Sequence, residues 1–459
     1  MGHFHRVPGT TAADVSKDTA PAETLPWRRG VAWLLFLGPF FFLSYGFANA
    51  MAARWQVSDA VVFGWERHIP FMPWTILPYW SIDLFYGLSF LLCRNTLQVD
   101  RHALRLLTAQ LVSVACFLLF PLRFSFARPV TDGLFGGLFE ALASFDQPYN
   151  QAPSLHISLL VILWVRFAAA SRGGLRLAVH VWAVLIAVSV LTTYQHHFID
   201  LPSGALVGLL CLWLWPDAGS TPFATAGRAS PAARRLAGRY LLGAVACGGL
   251  AGLLGDGALW LLWPATALGL VALNYAWLGP AGFQKRDGRH SLGAALLLAP
   301  YTLGAWLNSR LWTRRRPAPD LIVDGIWLGR MPDARDMAAG GFRALLDLTA
   351  ELPAPRGSWR YAGLPWLDLL PPTTAQLEQA ATQLEALHAH GGPVLVCCAL
   401  GYSRSASAVA AWLLISGRAA SVEAAEALLR RGRPGIVLGP AHRQALAGLS
   451  SPLETHGGA

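Results

Sequence analysis

The chain has 459 residues, enough for two or three domains. Hydrophobic residues make up 54% and charged residues 14%, with 19 Trp, which excludes a wholly water-soluble fold and puts most of the chain in a bilayer. The formal net charge of +10 then concerns topology and anionic lipid. No basic stretch is interleaved with aromatics, so no nucleic-acid partner is expected. Of the six Cys, Cys93, Cys116, Cys211 and Cys247 sit inside apolar runs as ordinary small core residues, which is no disulfide framework.

Residues 1–26 are polar and aperiodic and are expected to be disordered. After Trp27-Arg28-Arg29 come nine apolar runs, at about 31–52, 74–93, 104–122, 154–171, 175–194, 201–216, 238–255, 258–278 and 290–308. The first contains Ala48-Asn49-Ala50, which resembles a cleavage site, but its late start and its Phe and Trp content make it a retained anchor. The last contains Pro300 and is the weakest. Basic clusters at Arg28/Arg29, Arg94/Arg101/Arg105, Arg172/Arg176, Arg228/Arg234/Arg235/Arg239 and Lys285/Arg286/Arg289 fall on one side if each run crosses once, and that side is cytoplasmic. Trp27, Trp74, Tyr79, Trp215 and Trp263 read as an interfacial belt rather than a cofactor pocket.

The opposite side collects a chemical constellation. Arg123 to Pro129 reads Arg-Phe-Ser-Phe-Ala-Arg-Pro, the fourth run opens with Pro153-Ser154-Leu155-His156, and the fifth is followed by His196-His197-Phe198-Ile199-Asp200. Ionisable groups at that depth are costly unless functional. A His polarised by Asp is a competent nucleophile, a second His can protonate a leaving oxygen, and Arg can hold phosphoryl oxygens. Residues 70–215 resemble the membrane-embedded type-2 phosphatidic acid phosphatase superfamily, whose motifs end in Arg-Pro, Pro-Ser-x-His and His-x3-Asp. The resemblance implies a six-helix core in which His196 is the nucleophile, Asp200 its orienting partner and His156 the general acid. Arg128, Ser154 and Arg123 would bind phosphate, and His197 would be a packing or hydrogen-bonding neighbour. Two family positions differ: a Lys is replaced by Pro121, and a Ser-Arg pair reads Ser189-Val190. In this the chain is similar to the inositol-phosphorylceramide and sphingomyelin synthase branch, so headgroup transfer stays open beside hydrolysis.

The organisation expected is a membrane domain over 27–217, a polar loop over 218–237, further membrane helices without recognisable chemistry over 238–309, a basic linker over 310–319, a soluble domain over 320–450 and a tail over 451–459. In the soluble part, Leu321 to Val323 and Ile326 to Leu328 read as strands around an Asp324-Gly325 turn, and Ala344 to Leu348 as a buried strand. Leu377, Ala381, Leu384 and Leu387 recur at helical spacing, and Ser421 caps a helix that stops near Gly432. Alternating strands and helices make a small α/β domain with a mostly parallel sheet.

Its most informative stretch runs from Val394 to Ser405. An apolar strand ends in Cys397-Cys398, a short loop with Gly401 follows, and Arg404 stands six positions after Cys398 before an Ala-rich helix. Loop amides, a helix N-terminus and Arg404 converge as an anion site, and the same field favours a thiolate at Cys398. Cys398 to Ser405 resembles the Cys-x5-Arg-Ser loop of the protein tyrosine phosphatase superfamily, closest to its dual-specificity branch. The resemblance implies that Cys398 attacks phosphorus, that Arg404 and the loop residues Ala399, Leu400, Gly401, Tyr402 and Ser403 hold the phosphate, and that Ser405 eases thiolate departure. Asp368 stands where the general acid belongs. Cys397 replaces the usual His, and the two neighbouring thiols are expected to be able to form a disulfide or a sulfenate-trapping pair.

The whole reads as a nine-span helical membrane domain followed by a cysteine-phosphatase domain. It would be a bifunctional multi-pass enzyme of the inner or plasma membrane acting on a lipid phosphate or phospholipid. No cofactor or metal is called for, because Arg and amide dipoles neutralise the phosphoryl charge. The rivals are a membrane-tethered tyrosine phosphatase in signalling and a non-enzymatic lipid transporter. Nine crossings would put the phosphatase domain on the His196 side, whereas Arg310, Arg314, Arg315 and Arg316 argue for the cytoplasm. The cytoplasmic placement is preferred, with either the Pro300 segment re-entrant or one span miscounted.

Overall fold

The computed structural model describes residues 26–224 and 226–449. The expected N-terminal disorder, apart from Pro26, and the 451–459 tail lie outside the described residues. All nine apolar runs are helical. They form α1 (Pro26–Arg54), α2 (Ile76–Ser89), α3 (Thr96–Leu119), α5 (Leu155–Ala170), α6 (Gly173–Thr192), α7 (Asp200–Leu214), α8 (Pro231–Leu254), α9 (Leu262–Leu273) and the pair α10 (Leu292–Leu297) and α11 (Ala299–Trp312). A further helix, α4 (Gly133–Ala143), lies between α3 and α5. Among the described residues, six helical segments are long and apolar enough to cross a membrane; α5 and α7, with 16 and 15 residues, are shorter.

Caps fix where the helices begin. The Asn95 side chain accepts from the Gln98 amide at α3, and Ser154 accepts from Ile157 at α5. Val99, Ala103 and Leu106 of α3 pack with Ile157, Leu160 and Ile162 of α5 and with Ile186 and Val190 of α6. Leu35, Phe42, Leu43 and Phe47 of α1 and Leu242, Val245 and Leu253 of α8 instead point outward. Such an apolar exterior needs a non-aqueous neighbour.

The bundle has two chemically different ends. At one, α7 starts at Asp200 beside the start of α5 and the 123–128 loop. At the other, Arg101 of α3 donates to the Pro216 carbonyl, and Arg105 and Arg166 both pair with Asp217. All the basic clusters read from the sequence gather at this second end, and α7 separates the two by about 22 Å at 1.5 Å per residue. The chain traverses the bundle eight times as far as the hairpin of β1 (Lys285–Arg286) and β2 (Arg289–His290). The ninth run does not traverse it. α10 starts against the backbone of Leu209 and Trp213, ends where Trp263 donates to the Leu296 carbonyl, and turns at Ala299-Pro300. α11 then returns to the basic end, where Ser309 donates to the Ala399 carbonyl. Pro300, at the start of α11, lacks the amide that would continue α10.

The C-terminal domain is built on a five-stranded sheet of β3 (Asp320–Val323), β4 (Ile326–Arg330), β5 (Ala344–Thr349), β6 (Arg360–Trp366) and β7 (Val394–Cys398), in the order β3-β4-β7-β5-β6. β3 and β4 form an antiparallel hairpin whose Asp324-Gly325 turn has φ of 48° and 76°; the other pairings are parallel, so the sheet is mixed. Helices α12 (Ala334–Ala339), α13 (Thr374–His388), α14 (Arg404–Ile415), α15 (Val422–Gly432) and α16 (Pro440–Ala447) complete the domain. Every residue of β5 is buried, as both faces of a covered parallel sheet require. Leu346, Leu348 and Val396 pack on Leu377, Leu384 and Trp412, while Leu345, Leu395 and Cys397 on the other face pack on Met337 and Phe342.

The C-terminal ends of β5, β6 and β7 face the helical region. Lys285 donates to Asp347 and to Thr349, the His290 ring contacts the Ala350 carbonyl, and Arg310 donates to the Met331 carbonyl. The helices after residue 238, which showed no chemistry in the sequence, form the platform on which this edge rests.

Candidate functional site

β7 delivers Cys398 to the end of the central strand, and α14 begins six residues later at Arg404. Between them the loop wraps the sulfur: the Gly401 amide donates to Cys398 Sγ at 3.2 Å and Ser405 Oγ at 3.3 Å. Two donors aimed at one sulfur stabilise a thiolate. Gly401 has φ of +75°, and a Cβ there would sit 2.3 Å from the Gly329 carbonyl carbon, so the loop passes β4 only with glycine. Tyr402 is clamped from outside, since its carbonyl accepts from the Val437 amide and the Arg433 guanidinium lies over its ring at 4.8 Å.

Arg404 is buried and already well bonded. Nη1 and Nη2 donate to the two carboxylate oxygens of Glu351 at 3.0 and 2.6 Å, Nη1 also donates to the Trp366 carbonyl, and Nη2 lies 2.9 Å from Asp368. Its Nε has no partner and remains for a ligand oxygen. Burial pushes the Glu351 carboxyl up, but the charge and hydrogen bonds of Arg404 outweigh that and hold it below the ordinary value. Burial also raises Asp368; Arg404 opposes and Glu351 adds to the rise, and the group stays above the usual carboxylate range. Tyr275 of the helical platform donates to the Asp368 carbonyl at 3.0 Å, fixing the loop that carries it.

Sequence reasoning missed Glu351 and Arg433. Arg433 is buried, donates to the Gly401 carbonyl at 2.8 Å and pairs with Asp320 at 2.6 Å. Arg433→Ala removes the strut behind the loop and is expected to cost about 3 kcal/mol, the low end for breaking one partner of a buried pair because Asp320 is partly exposed. Denaturant unfolding of the full chain checks this.

The expected pairing of Cys397 with Cys398 does not fit. Successive residues of a strand face opposite sides, and the two thiols sit in different cores on the two faces of the sheet. Burial raises the Cys397 thiol well above its ordinary value, and the Asp347 carboxylate adds to the rise, so Cys397 stays a neutral packing residue.

At the other end of the bundle the structure joins most of the second constellation. His196 Nδ1 lies 3.0 Å from Asp200 Oδ2, and Ser154 Oγ lies 3.1 Å from His196 Nε2. With Nδ1–H donating to Asp200, Nε2 is left as the acceptor facing the Ser154 hydroxyl. His156 stacks on Tyr79 at 4.2 Å with its Nε2 unpartnered, and it lines the same cavity of about 450 Å³ as His196. That cavity runs on between Leu37, Phe41 and Tyr86, and Asp146 on its wall accepts from Tyr45 and Tyr79. Arg128 reaches the Tyr194 carbonyl at 3.4 Å, with its Nε unpartnered. Arg123 is not brought in: it is exposed, and its side chain makes no hydrogen bond among the described residues.

His197 hydrogen-bonds away from His196, to a residue the sequence did not single out. Its Nδ1 meets Glu66 at 2.9 Å, and its Nε2 accepts from the Ser125 amide at 3.1 Å. Glu66 also accepts from the Phe198 amide. The ring thereby ties the 123–128 loop, and Arg128 with it, to the His196 segment.

Residues 326–450 match the family model described as dual specificity phosphatase, catalytic domain. No curated protein matches the chain. Among solved structures, the chain is similar to human DUSP28 with 23% identity over 28% of this chain and 94% of that one, at a TM-score of 0.27. It is also similar to Tk-PTP in its active form, with 29% identity over 29% of this chain and 97% of that one, at a TM-score of 0.27. PTPMT1 gives 23% identity over 28% and 92%, at a TM-score of 0.26. On the family match, residues 326–450 are a dual-specificity phosphatase catalytic domain of the protein tyrosine phosphatase type.

Proposed function

We propose that the chain is a bifunctional membrane enzyme that processes phospholipid phosphates at two sites, one at each end of the helical bundle. At the C-terminal site, the Cys398 thiolate attacks phosphorus as the P–O bond to the leaving group breaks, and Asp368 gives its proton to the departing alkoxide. Water then attacks the phosphocysteine, Asp368 takes a proton back, and Ser405 stabilises the returning thiolate. Arg404 binds the phosphoryl oxygens through its free Nε and through Nη2, which exchanges Asp368 for the ligand. The observation that carries this half is the convergence of the Gly401 amide and Ser405 hydroxyl on Cys398 Sγ beside a buried Arg404.

At the other site, His196 Nε2 attacks the phosphoryl group of a lipid, His156 protonates the leaving oxygen, and water or a lipid hydroxyl then takes the phosphoryl group from the histidine. Arg128 and Ser154 bind its oxygens. The carboxylate-oriented His196 and the cavity it shares with His156 support this half. The outward apolar helix faces support insertion in a bilayer. The basic residues gathered at the phosphatase end support a cytoplasmic Cys398 site and a His196 site on the opposite face.

The test is a pair of single variants on purified full-length protein in detergent. Cys398→Ser is expected to abolish release of phosphate from an aryl phosphate and keep turnover of a lipid phosphate at the His196 site. His196→Ala is expected to do the reverse. If neither substitution lowers any activity over a panel of lipid phosphates and phosphopeptides, both assignments fall.

A further inference from the structure

Between the basic end of the bundle and the phosphatase domain lies a cavity of about 1420 Å³. One wall is the segment that carries the general acid, with Pro365, Trp366, Leu367 and Leu370 to Thr373; the other is the platform around Tyr275 and Trp277. Its lining carries six cations, Arg105, Arg228, Arg235, Lys285, Arg286 and Arg289, against one carboxylate, Asp217. Arg105 is spent on Asp217 and Lys285 on Asp347. Arg228, Arg235, Arg286 and Arg289 form no ion pair among the described residues. Asn274 supplies an independent sign: it is 1% exposed, neither atom of its amide has a partner, and it sits on the single π-helical turn that interrupts the end of α9. Buried amides without partners, and π turns, recur where ligands bind.

One phosphomonoester at Cys398 is met by the loop amides and Arg404, and does not account for four more unpaired arginines in the cavity that the Pro365–Leu367 segment borders. We infer that this cavity binds a second anionic phosphate of the same substrate, a headgroup carrying a phosphodiester in addition to the phosphomonoester that Cys398 cleaves. The inference rests on the phosphatase reading above. The diester sits against Arg228, Arg235, Arg286 and Arg289 with the Asn274 amide donating to it, and the monoester reaches past Asp368 to the loop. A doubly phosphorylated phospholipid held at the basic end of the bundle has this chemistry, and so does its deacylated headgroup free in solution.

The experiment uses the full chain in lipid nanodiscs and compares phosphatidylinositol monophosphate, its deacylated headgroup and phosphatidic acid, which has a monoester alone. In the His196→Ala background, where only the Cys398 site turns over, the protein is expected to prefer both doubly phosphorylated compounds to phosphatidic acid in kcat/KM, and the acylated one most if the bilayer supplies the substrate. Replacing Arg228, Arg286 and Arg289 together by Gln is expected to lower that preference about tenfold or more, the scale of losing one charge-assisted contact. Arg234→Gln, which removes a neighbouring exposed charge outside the cavity, keeps the preference. A second measurement is retention of the Cys398→Ser protein on vesicles containing phosphatidylinositol monophosphate, lost in the triple variant. An unchanged preference with unchanged retention overturns the cavity assignment while leaving the phosphatase reading intact. Failure to hydrolyse any monoester in a Cys398-dependent way overturns both.

Discussion

Cys398→Ser is expected to lower kcat of the C-terminal domain for an aryl phosphate by roughly 10⁵-fold, in the range seen when an enzyme loses its nucleophile. The substitution keeps the shape of the loop and removes only the thiolate. A serine hydroxyl in its place has no base within the loop to ionise it, since the polar neighbours of Cys398 Sγ are two donors, the Gly401 amide and the Ser405 hydroxyl. Binding should survive, because the oxygens are held by Arg404 and the loop amides. Steady-state kinetics together with retention on a phosphate-ester resin separate the two. The pH profile gives an internal check on the acid. Asp368 must be protonated to act, and burial raises it above an ordinary carboxyl, so its proton persists to higher pH than usual and activity falls as pH rises through its folded value. Asp368→Asn removes that limb for a poor leaving group and costs about 10²–10⁴-fold there, with less effect on a nitrophenolate that leaves unaided.

What the sequence revealed and what it hid differ by distance along the chain. The Cys398 loop, the Asp324-Gly325 hairpin turn, the helical stripe of Leu377, Ala381, Leu384 and Leu387 and the nine apolar runs are local patterns, and each appears in the structure where its spacing put it. α4 escaped because Gly133, Gly136 and Gly137 lower helix propensity over its 11 residues. Partners brought in from afar left no local trace. Glu351 is 53 residues from Arg404, Asp347 is 62 from Lys285, and Glu66 is 131 from His197. Any carboxylate can bind any cation, so spacing cannot name the pair. The same holds for the helices after residue 238: their apolar runs show that they are helical and shun water, while their role lies in what Tyr275, Lys285, His290 and Ser309 touch across the domain boundary. The ninth run shows the limit most clearly, because hydropathy counts residues and the direction of the chain turns on the break at Ala299-Pro300.

Glu351→Ala is expected to destabilise the C-terminal domain by about 3–5 kcal/mol, the cost of leaving a buried charge without its partner. That is a large share of the roughly 5–15 kcal/mol that holds a domain folded. Arg404 is 2% exposed and would keep only the Trp366 carbonyl and the partly exposed Asp368 as acceptors. The Gln variant separates packing from charge, since an amide fills the site and still accepts one hydrogen bond but leaves the guanidinium uncompensated; it should recover part of the loss. The same pair sets an acid limit. Glu351 is held below its unfolded value, so its contribution is fully present above about pH 4.5 and is lost as pH falls through the folded value. Asp368 is shifted the other way and contributes below its unfolded value, which partly offsets the loss in acid. Thermal melts of the full chain between pH 3 and 7 should therefore show a fall in stability on acidification that Glu351→Gln makes shallower and Asp368→Asn steepens. A melt whose pH dependence is the same in Glu351→Gln as in the wild type would mean that Arg404 is compensated by something other than this carboxylate, and the geometry drawn for the phosphate site would have to change with it.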